Sequence, residues 1–169
     1  MSDHTAHNSK AFKVGVEKFF NGDVRAICEE IAKESAQMLV DFVDGNFVLP
    51  DGTTQFPVDT ANLHDAVGAG VYSNGKLAYF MPTAKATKPQ SHNGVKGLYG
   101  SELLKTAISS AYTEYADGNV WLVVFAAVPY AFKINTSGSP IGRGVGFWDE
   151  VIRYIVSVAT TKVLQRRKL

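Results

Sequence analysis

The chain has 169 residues, of which 46% are hydrophobic and 20% are charged, and its formal net charge is +1. A single domain of this length can bury a substantial core. The near-neutral charge argues against a protein whose main task is to grip nucleic acid, because such proteins usually carry a basic excess. A single cysteine, Cys28, excludes an internal disulfide. No apolar run is long enough to span a bilayer as a helix.

The chain is predicted to consist of an N-terminal arm and one domain, with the boundary after residue 22. Residues 1–22 are expected to form a polar arm and a short helix that Asn21-Gly22 ends, and residues 23–169 to form one α+β domain. Asp23 is the expected N-cap of a long helix. Its apolar residues recur at three- and four-residue steps: Val24, Ile27, Cys28, Ile31, Ser35, Met38, Leu39 and Phe42. This stripe predicts that Cys28 is an inert, buried thiol.

A β-hairpin is predicted next. Residues 66–72 and 77–81 are strand-like, and the Asn74-Gly75 pair between them suits a type I′ turn, which needs two positive φ angles. Gly68 and Gly70 in the first strand indicate a bulge or a close approach of two backbones.

The remaining elements complete an α+β fold. Residues 82–97 are predicted to be an exposed loop, and Ser101 to begin a middle helix that buries Leu104, Ala107 and Ile108. The apolar run over residues 120–128 predicts a strand covered on both faces. A C-terminal helix is expected to begin near Phe147 and to bury Trp148, Val151, Ile152, Ile155, Val158 and Ala159. Its basic tail is expected to complement the helix dipole. The expected sheet is small and antiparallel-leaning, a hairpin plus a buried strand, and is packed by the long N-terminal, middle and C-terminal helices.

Convergent catalytic groups are not apparent. Cys28 could pair with His64 or His92 only if the fold brought them together, and His64-Asp65 would need a distant serine. Residues 142–146 contain three glycines ahead of a helix, but no Lys-Ser/Thr pair follows them as a phosphate loop requires. The sequence therefore predicts a non-enzymatic protein with no catalytic residue, no cofactor and no metal site.

Two segments resemble the small neck and tail-completion proteins of tailed bacteriophages. The family's "P-V-D-T-G-x-L-x-x-S-I" stretch is matched in residues 56–67 by Pro57, Val58, Asp59, Thr60 and Leu63, with Ala61 in place of the glycine. The family's "x-x-P-Y-A-x-x-x-E-x-G-T" stretch is matched in residues 128–138 by Pro129, Tyr130 and Ala131. The glutamate of that stretch is missing. The order of elements over residues 23–165 also agrees with the family.

The resemblance implies a structural virion protein. Such a subunit, also described as a head–tail connector or minor tail protein, would form a homo-oligomeric ring at the neck or tail end and join or complete the tail. Its partners would be portal, adaptor or tail-tube proteins of the same virion. DNA would pass through without tight binding, and no membrane would be involved. The protein would be made in the host cytoplasm. Assembly candidates are the matched motif residues together with Gly138 and Arg143.

Two other functions stay open at this point. A nucleic-acid or small-ligand binding module would use Lys85, Lys88, Lys96 and the basic run at residues 166–168. An enzyme of unfamiliar type would use His64 and Asp65 first.

Overall fold

The computed structural model describes most of the helices and the main sheet. It describes residues 13–53, 66–83, 91–92, 95–96, 104, 106–108, 110, 119–127 and 147–169. The elements in chain order are α1 (Arg25–Val43), β1 (Val67–Ser73), β2 (Lys76–Pro82), β3 (Ser91–His92), β4 (Val95–Lys96), β5 (Val120–Ala126) and α2 (Phe147–Arg167). Leu104, residues 106–108 and Ser110 are helical and belong to the predicted middle helix. The α+β class is therefore confirmed.

The main sheet is antiparallel and has the strand order β2-β1-β5. The turn between β1 and β2 has φ angles of 51° at Asn74 and 70° at Gly75, as a type I′ turn requires. The hairpin prediction is confirmed. The loop predicted over residues 82–97 contains a second, two-stranded sheet, in which β3 pairs with β4.

The central strand β1 is buried along its whole length. Its glycines allow this packing: a Cβ atom on Gly68 would lie 3.1 Å from both the Met81 carbonyl oxygen and Leu104 Cδ2. The pairing with β2 also shifts register between Val71 and Tyr72. The close-approach reading is therefore correct for Gly68, whereas the glycines do not mark the irregularity, because the residue that the register shift leaves unpaired is Ala78 of β2.

Helices cover both faces of the sheet. On one face Val67, Ala69 and Val71 join α1 and α2 in the larger core cluster. On the other face Tyr72, Leu104 and Phe125 form a smaller cluster that includes the middle helix. Side chains of β5 contact both clusters, but the prediction of a strand covered on both faces holds only in part, because β5 is an edge strand of the sheet and Trp121 is 40% exposed. Among the β5 residues only Phe125 is buried.

The first helix differs from the prediction at its start. Residues 13–18 are helical, and Phe19–Val24 continue the helix as a π-helical segment into α1. The helix end expected at Asn21-Gly22 is therefore wrong, because the chain passes this point through a wider turn. The expected Asp23 N-cap is also wrong: Val24, which precedes α1, has helical angles, and no side chain caps it. The proposed division of the chain at residue 22 stays a prediction.

Burial of the α1 stripe holds only for its C-terminal half. Ser35, Met38, Leu39 and Phe42 are buried as predicted. Cys28 is exposed, so the expected buried thiol is wrong. The physical reason is length: residues 13–43 span about 46 Å as a helix, whereas a seven-residue strand spans about 23 Å. The sheet cannot cover the whole helix.

The C-terminal helix agrees in part with its prediction. It begins at Phe147 and buries Val151, Ile155 and Ala159. Ile152 and Val158 are half-buried, and the side chain of Trp148 lies outside what the structure describes. Val163 is also buried, one turn further along than the predicted stripe. α2 packs against α1, and these contacts complete the larger core cluster.

Candidate functional site

Three segments outside the described residues attach to one end of the main sheet. The Ala127 amide donates a hydrogen bond to the Ala66 carbonyl oxygen at 3.0 Å, and the Thr83 amide donates to the Val67 carbonyl oxygen at 3.4 Å. Ala66, Thr83 and Ala127 border residues 54–65, 84–90 and 128–146 respectively. We call this end of the strands the motif end, because the two segments with the family motifs connect to the sheet here.

The sequence-predicted assembly residues fall within those segments. All ten lie outside the described residues: Pro57, Val58, Asp59, Thr60, Leu63, Pro129, Tyr130, Ala131, Gly138 and Arg143. The last two positions of the first motif are described. Ala66 and Val67 are fully buried, and Val67 pairs with Ala126 across the β1–β5 ladder. The described part of the fold therefore brings the attachment points of the two motifs side by side.

The opposite end of the sheet, which we call the turn end, is tied to the first helix. Arg25 Nη1 donates a hydrogen bond to Asn74 Oδ1 at 2.6 Å, and Ser73 Oγ donates to Glu29 Oε1 at 2.5 Å. These bonds fix the start of α1 against the hairpin turn. Sequence reasoning did not find them, because residues 44 to 49 positions apart show no local pattern.

A groove lies at the turn end between the start of the first helix and the start of β5. Its volume is about 500 Å³. Its lining residues are Phe20, Asn21, Val24, Arg25, Cys28, Asn119, Val120 and Trp121. These eight described lining residues include no histidine and no carboxylate, the side chains that most often activate a cysteine nucleophile. The groove can accept an apolar surface with a few polar groups at its rim.

The groove was missed at the level of sequence because periodicity alone assigned its helix residues to the core. A usable signal was present. The helical pattern is much longer than either predicted strand of the hairpin, so part of the helix had to extend past the sheet.

The basic tail of α2 is engaged by acidic residues of α1. Lys162 Nζ lies 3.1 Å from Glu34 Oε1, and Arg166 Nη2 lies 2.9 Å from Glu34 Oε2. Arg167 Nε lies 2.7 Å from Glu30 Oε2. The tail was expected to act on the dipole of its own helix; its resolved contacts are with the neighbouring helix. Two members of the basic run therefore have partners within the chain.

The charge of Glu34 is stabilised by this pairing. The Arg166 guanidinium, which hydrogen-bonds the carboxylate, lowers the pKa of Glu34, and Lys162 lowers it further. Partial burial opposes both effects. Perturbed pKa values occur at catalytic sites and in structural ion pairs alike. Here Arg166 and Lys162 are on α2, which packs against α1, so we assign the lowered pKa of Glu34 to a structural ion pair between the two helices.

Metal and membrane sites were sought in the part of the chain that the structure describes. No cluster of three or more His, Cys, Asp or Glu side chains there could hold a metal ion. No helix within the same residues combines the length and apolar character needed to cross a membrane. His64 and Asp65, the residues named for an unfamiliar enzyme, lie outside the described ranges.

Comparison of the chain with protein-family models, with curated proteins and with solved structures finds no match. The resemblance to phage neck and tail-completion proteins therefore depends on the motif residues and the order of elements alone.

Proposed function

We propose that this chain is a structural protein of a tailed-bacteriophage virion. It forms an oligomeric ring at the head–tail neck or the tail end and joins or completes the tail. Its partners are other copies of itself and portal, adaptor or tail-tube proteins of the same particle. This proposal makes the protein a non-enzymatic component of the virion.

The arrangement of the motif end supports the proposal most directly. The two segments that resemble the family are more than sixty residues apart in sequence. Yet Ala66, near the end of the first segment, shares a backbone hydrogen bond of 3.0 Å with Ala127, which directly precedes the second. The attachment points of both segments therefore lie side by side at the motif end. The α+β fold and its order of elements agree with the same family.

Two unlike ends of the sheet suit a ring. A closed ring is built from head-to-tail contacts in which each subunit presents two different surfaces. The motif end has the attachment points of the three segments, and the turn end has the groove and the exposed side of the first helix. A subunit with both could contact one neighbour through each end.

The charge distribution supports passage of DNA without tight binding. The net charge is +1, and Arg166 and Arg167 pair with Glu34 and Glu30. Binding to DNA through phosphates depends steeply on salt. We expect at most weak association with duplex DNA, lost at moderate ionic strength. Affinity that persists in high salt, measured by fluorescence anisotropy, would contradict this part of the proposal.

Copy number in purified particles tests the function as a whole. Quantitative mass spectrometry of virions, normalised to the portal protein, should give a fixed number of copies that matches a symmetric ring. Absence from particles, with the protein abundant in infected cells, would reject the virion role. A nucleic-acid or small-ligand binding module would then be the function to test.

For that alternative, alanine replacement of Arg166, Arg167 and Lys168 should abolish binding. Because two of these residues stabilise the fold, a matched variant with Glu30→Gln and Glu34→Gln separates the two effects. The matched variant loses the ion pairs but keeps the basic run. Loss of binding in the alanine variant alone would assign binding to the basic residues themselves.

A further inference from the structure

The hairpin turn between β1 and β2 has a chemical property that the proposed function does not use. Its central residues are Asn74 and Gly75, and Asn-Gly pairs also occur at residues 21–22 and 93–94, of which the last lies outside the described residues. In an Asn-Gly pair the glycine nitrogen can attack the asparagine side-chain carbon, because glycine has no Cβ to obstruct the approach. In a folded protein the rate depends on the freedom of the backbone and of the asparagine side chain.

The backbone at Asn74-Gly75 is accessible to this reaction. Asn74 is exposed and Gly75 is half-buried, so water reaches the turn. The flanking residues Ser73 and Lys76 pair with each other and close the ladder. The two central residues of such a turn lie outside the ladder, so the ladder does not hold the Gly75 nitrogen in a hydrogen bond.

The backbone at Asn21-Gly22 is held by a helix instead. Both residues lie within the π-helical segment Phe19–Val24, and the chain is helical before and after it. In a helix each backbone amide donates to a carbonyl oxygen of the preceding turn, and rotation towards ring closure would break that pattern. Asn21 is exposed, as Asn74 is, so exposure does not distinguish the two sites.

The side chain of Asn74 is held by the first helix. Arg25 Nη1 donates a hydrogen bond to Asn74 Oδ1 at 2.6 Å. The neighbouring Ser73 hydroxyl bonds to Glu29 of the same helix. Ring closure requires Asn74 Cγ to turn towards the Gly75 nitrogen, which displaces Oδ1 from the guanidinium. The helix therefore opposes the reaction that the turn sequence favours.

We propose that Asn74 is a site of spontaneous deamidation and that Arg25 slows the reaction. The Gly75 nitrogen gives up its proton and forms a bond to Asn74 Cγ. The bond from Cγ to Nδ2 breaks, and ammonia leaves with that proton. One water molecule then opens the five-membered imide. Water is the only co-reactant.

The two products change the contact with α1 in different ways. Opening the imide at the side-chain carbon gives an aspartate, whose carboxylate would replace the neutral acceptor of Arg25 with a charged one. Opening it at the backbone carbon gives an isoaspartate, which adds one carbon to the main chain. A two-residue turn fixes the register of its strands, so the longer main chain should disrupt the pairing of Ser73 with Lys76. Deamidation is therefore a slow, irreversible change in how the turn end is tied to the first helix.

Peptide mapping of the full-length protein by tandem mass spectrometry tests the site. Incubation in water enriched in heavy oxygen, followed by digestion in ordinary water, labels only the deamidation that precedes digestion. Wild type should convert Asn74 faster than Asn21. The rate at Asn74 should rise from neutral to mildly alkaline pH, because the Gly75 nitrogen must lose its proton. A rate at Asn21 equal to or above that at Asn74 would overturn the assignment.

An arginine variant with a matched control tests the role of Arg25. Arg25→Ala should speed the conversion of Asn74 by about two- to tenfold, the effect of removing one hydrogen bond from the starting state. Lys33→Ala removes the same charge from an exposed position of α1 and should leave that rate unchanged. An unchanged or slower rate in Arg25→Ala, or an equal acceleration in Lys33→Ala, would overturn the protective role.

The site and the proposed function can fail separately. The comparison of Asn74 with Asn21 is made within one wild-type sample, so it does not depend on how a variant folds. Far-UV circular dichroism should be unchanged in both variants, because Arg25 and Lys33 bond or lie at the surface. Absence of the protein from virions would leave the deamidation result intact, and the reverse also holds.

Discussion

Two parts of the first helix have apolar residues at helical spacing but different surroundings. In the C-terminal half of α1, Phe42 is completely buried beneath the sheet. Phe20 is 60% exposed; it lies in residues 13–24, the helical part ahead of α1 that we call the projecting segment. The difference shows that periodicity identifies the side of a helix that suits a core, while the length of the neighbouring strands decides how much of that side is covered. The uncovered part is then available for other contacts.

The largest expected effect compares these two phenylalanines. Phe42→Ala removes a fully buried ring and should lower the free energy of unfolding by about 3–5 kcal/mol. Phe20→Ala should change it by less than about 0.5 kcal/mol, because the ring is mostly in water. Urea unfolding at low protein concentration, followed by circular dichroism, measures both. Equal losses would mean that the projecting segment belongs to the cooperative core.

Two glycine-to-alanine substitutions, one in the buried sheet and one in the projecting segment, should change the stability in opposite directions. In Gly68→Ala the new Cβ would lie 3.1 Å from the Met81 carbonyl oxygen, and the overpacking should cost about 1–3 kcal/mol. In Gly22→Ala it would meet nothing within 4 Å, and the gain in helix propensity should stabilise the protein by about 0.5–1 kcal/mol. Thermal midpoints should move in opposite directions. A destabilised Gly22→Ala variant would show that the π-helical segment needs its glycine.

The smallest expected change in stability comes from replacing carboxylates, one in an ion pair and one on the exposed projecting segment. Glu34→Gln should cost at most about 1 kcal/mol, since its partners Lys162 and Arg166 are more than half exposed and water screens the pairs. Glu17→Gln, on the exposed projecting segment, should change stability by close to zero. Urea midpoints of both variants at neutral pH measure this difference.

The Glu34 contribution should also depend on pH. Arg166 holds the pKa of Glu34 in the folded state below the ordinary value of 4.5, so the stabilisation is fully present above that pH. It is lost as pH falls through the lowered pKa of the folded state. The stability difference between wild type and Glu34→Gln should therefore be constant near neutral pH and disappear in acid. A difference that grows in acid would contradict the assignment of the shift to Arg166.

The fold was largely predictable because its main elements are encoded locally. The Asn74-Gly75 turn, the stripe from Ser35 to Phe42 and the start of α2 at Phe147 are all readable from neighbouring residues. The exposure of Cys28 could not be predicted from neighbouring residues, because its burial depends on the length of a sheet formed by distant segments.

The candidate site was less predictable for the same reason. The bond from Arg25 to Asn74 and the pairing of Arg166 with Glu34 join residues 49 and 132 positions apart. No spacing rule specifies such contacts. The motif residues named for assembly lie outside the described part of the chain, so their roles stay predictions.

The pairing of α1 with α2 has a consequence for synthesis of the chain. Lys162 and Glu34 are 128 positions apart, and Arg167 and Glu30 are 137 apart. At about 5–20 residues per second, a ribosome needs roughly 6–25 s to make the intervening residues. During that time the apolar side of α1 lacks its final cover and is open to chaperones or to non-native association. The packing of α1 against α2 can therefore be completed only after the last helix has been translated.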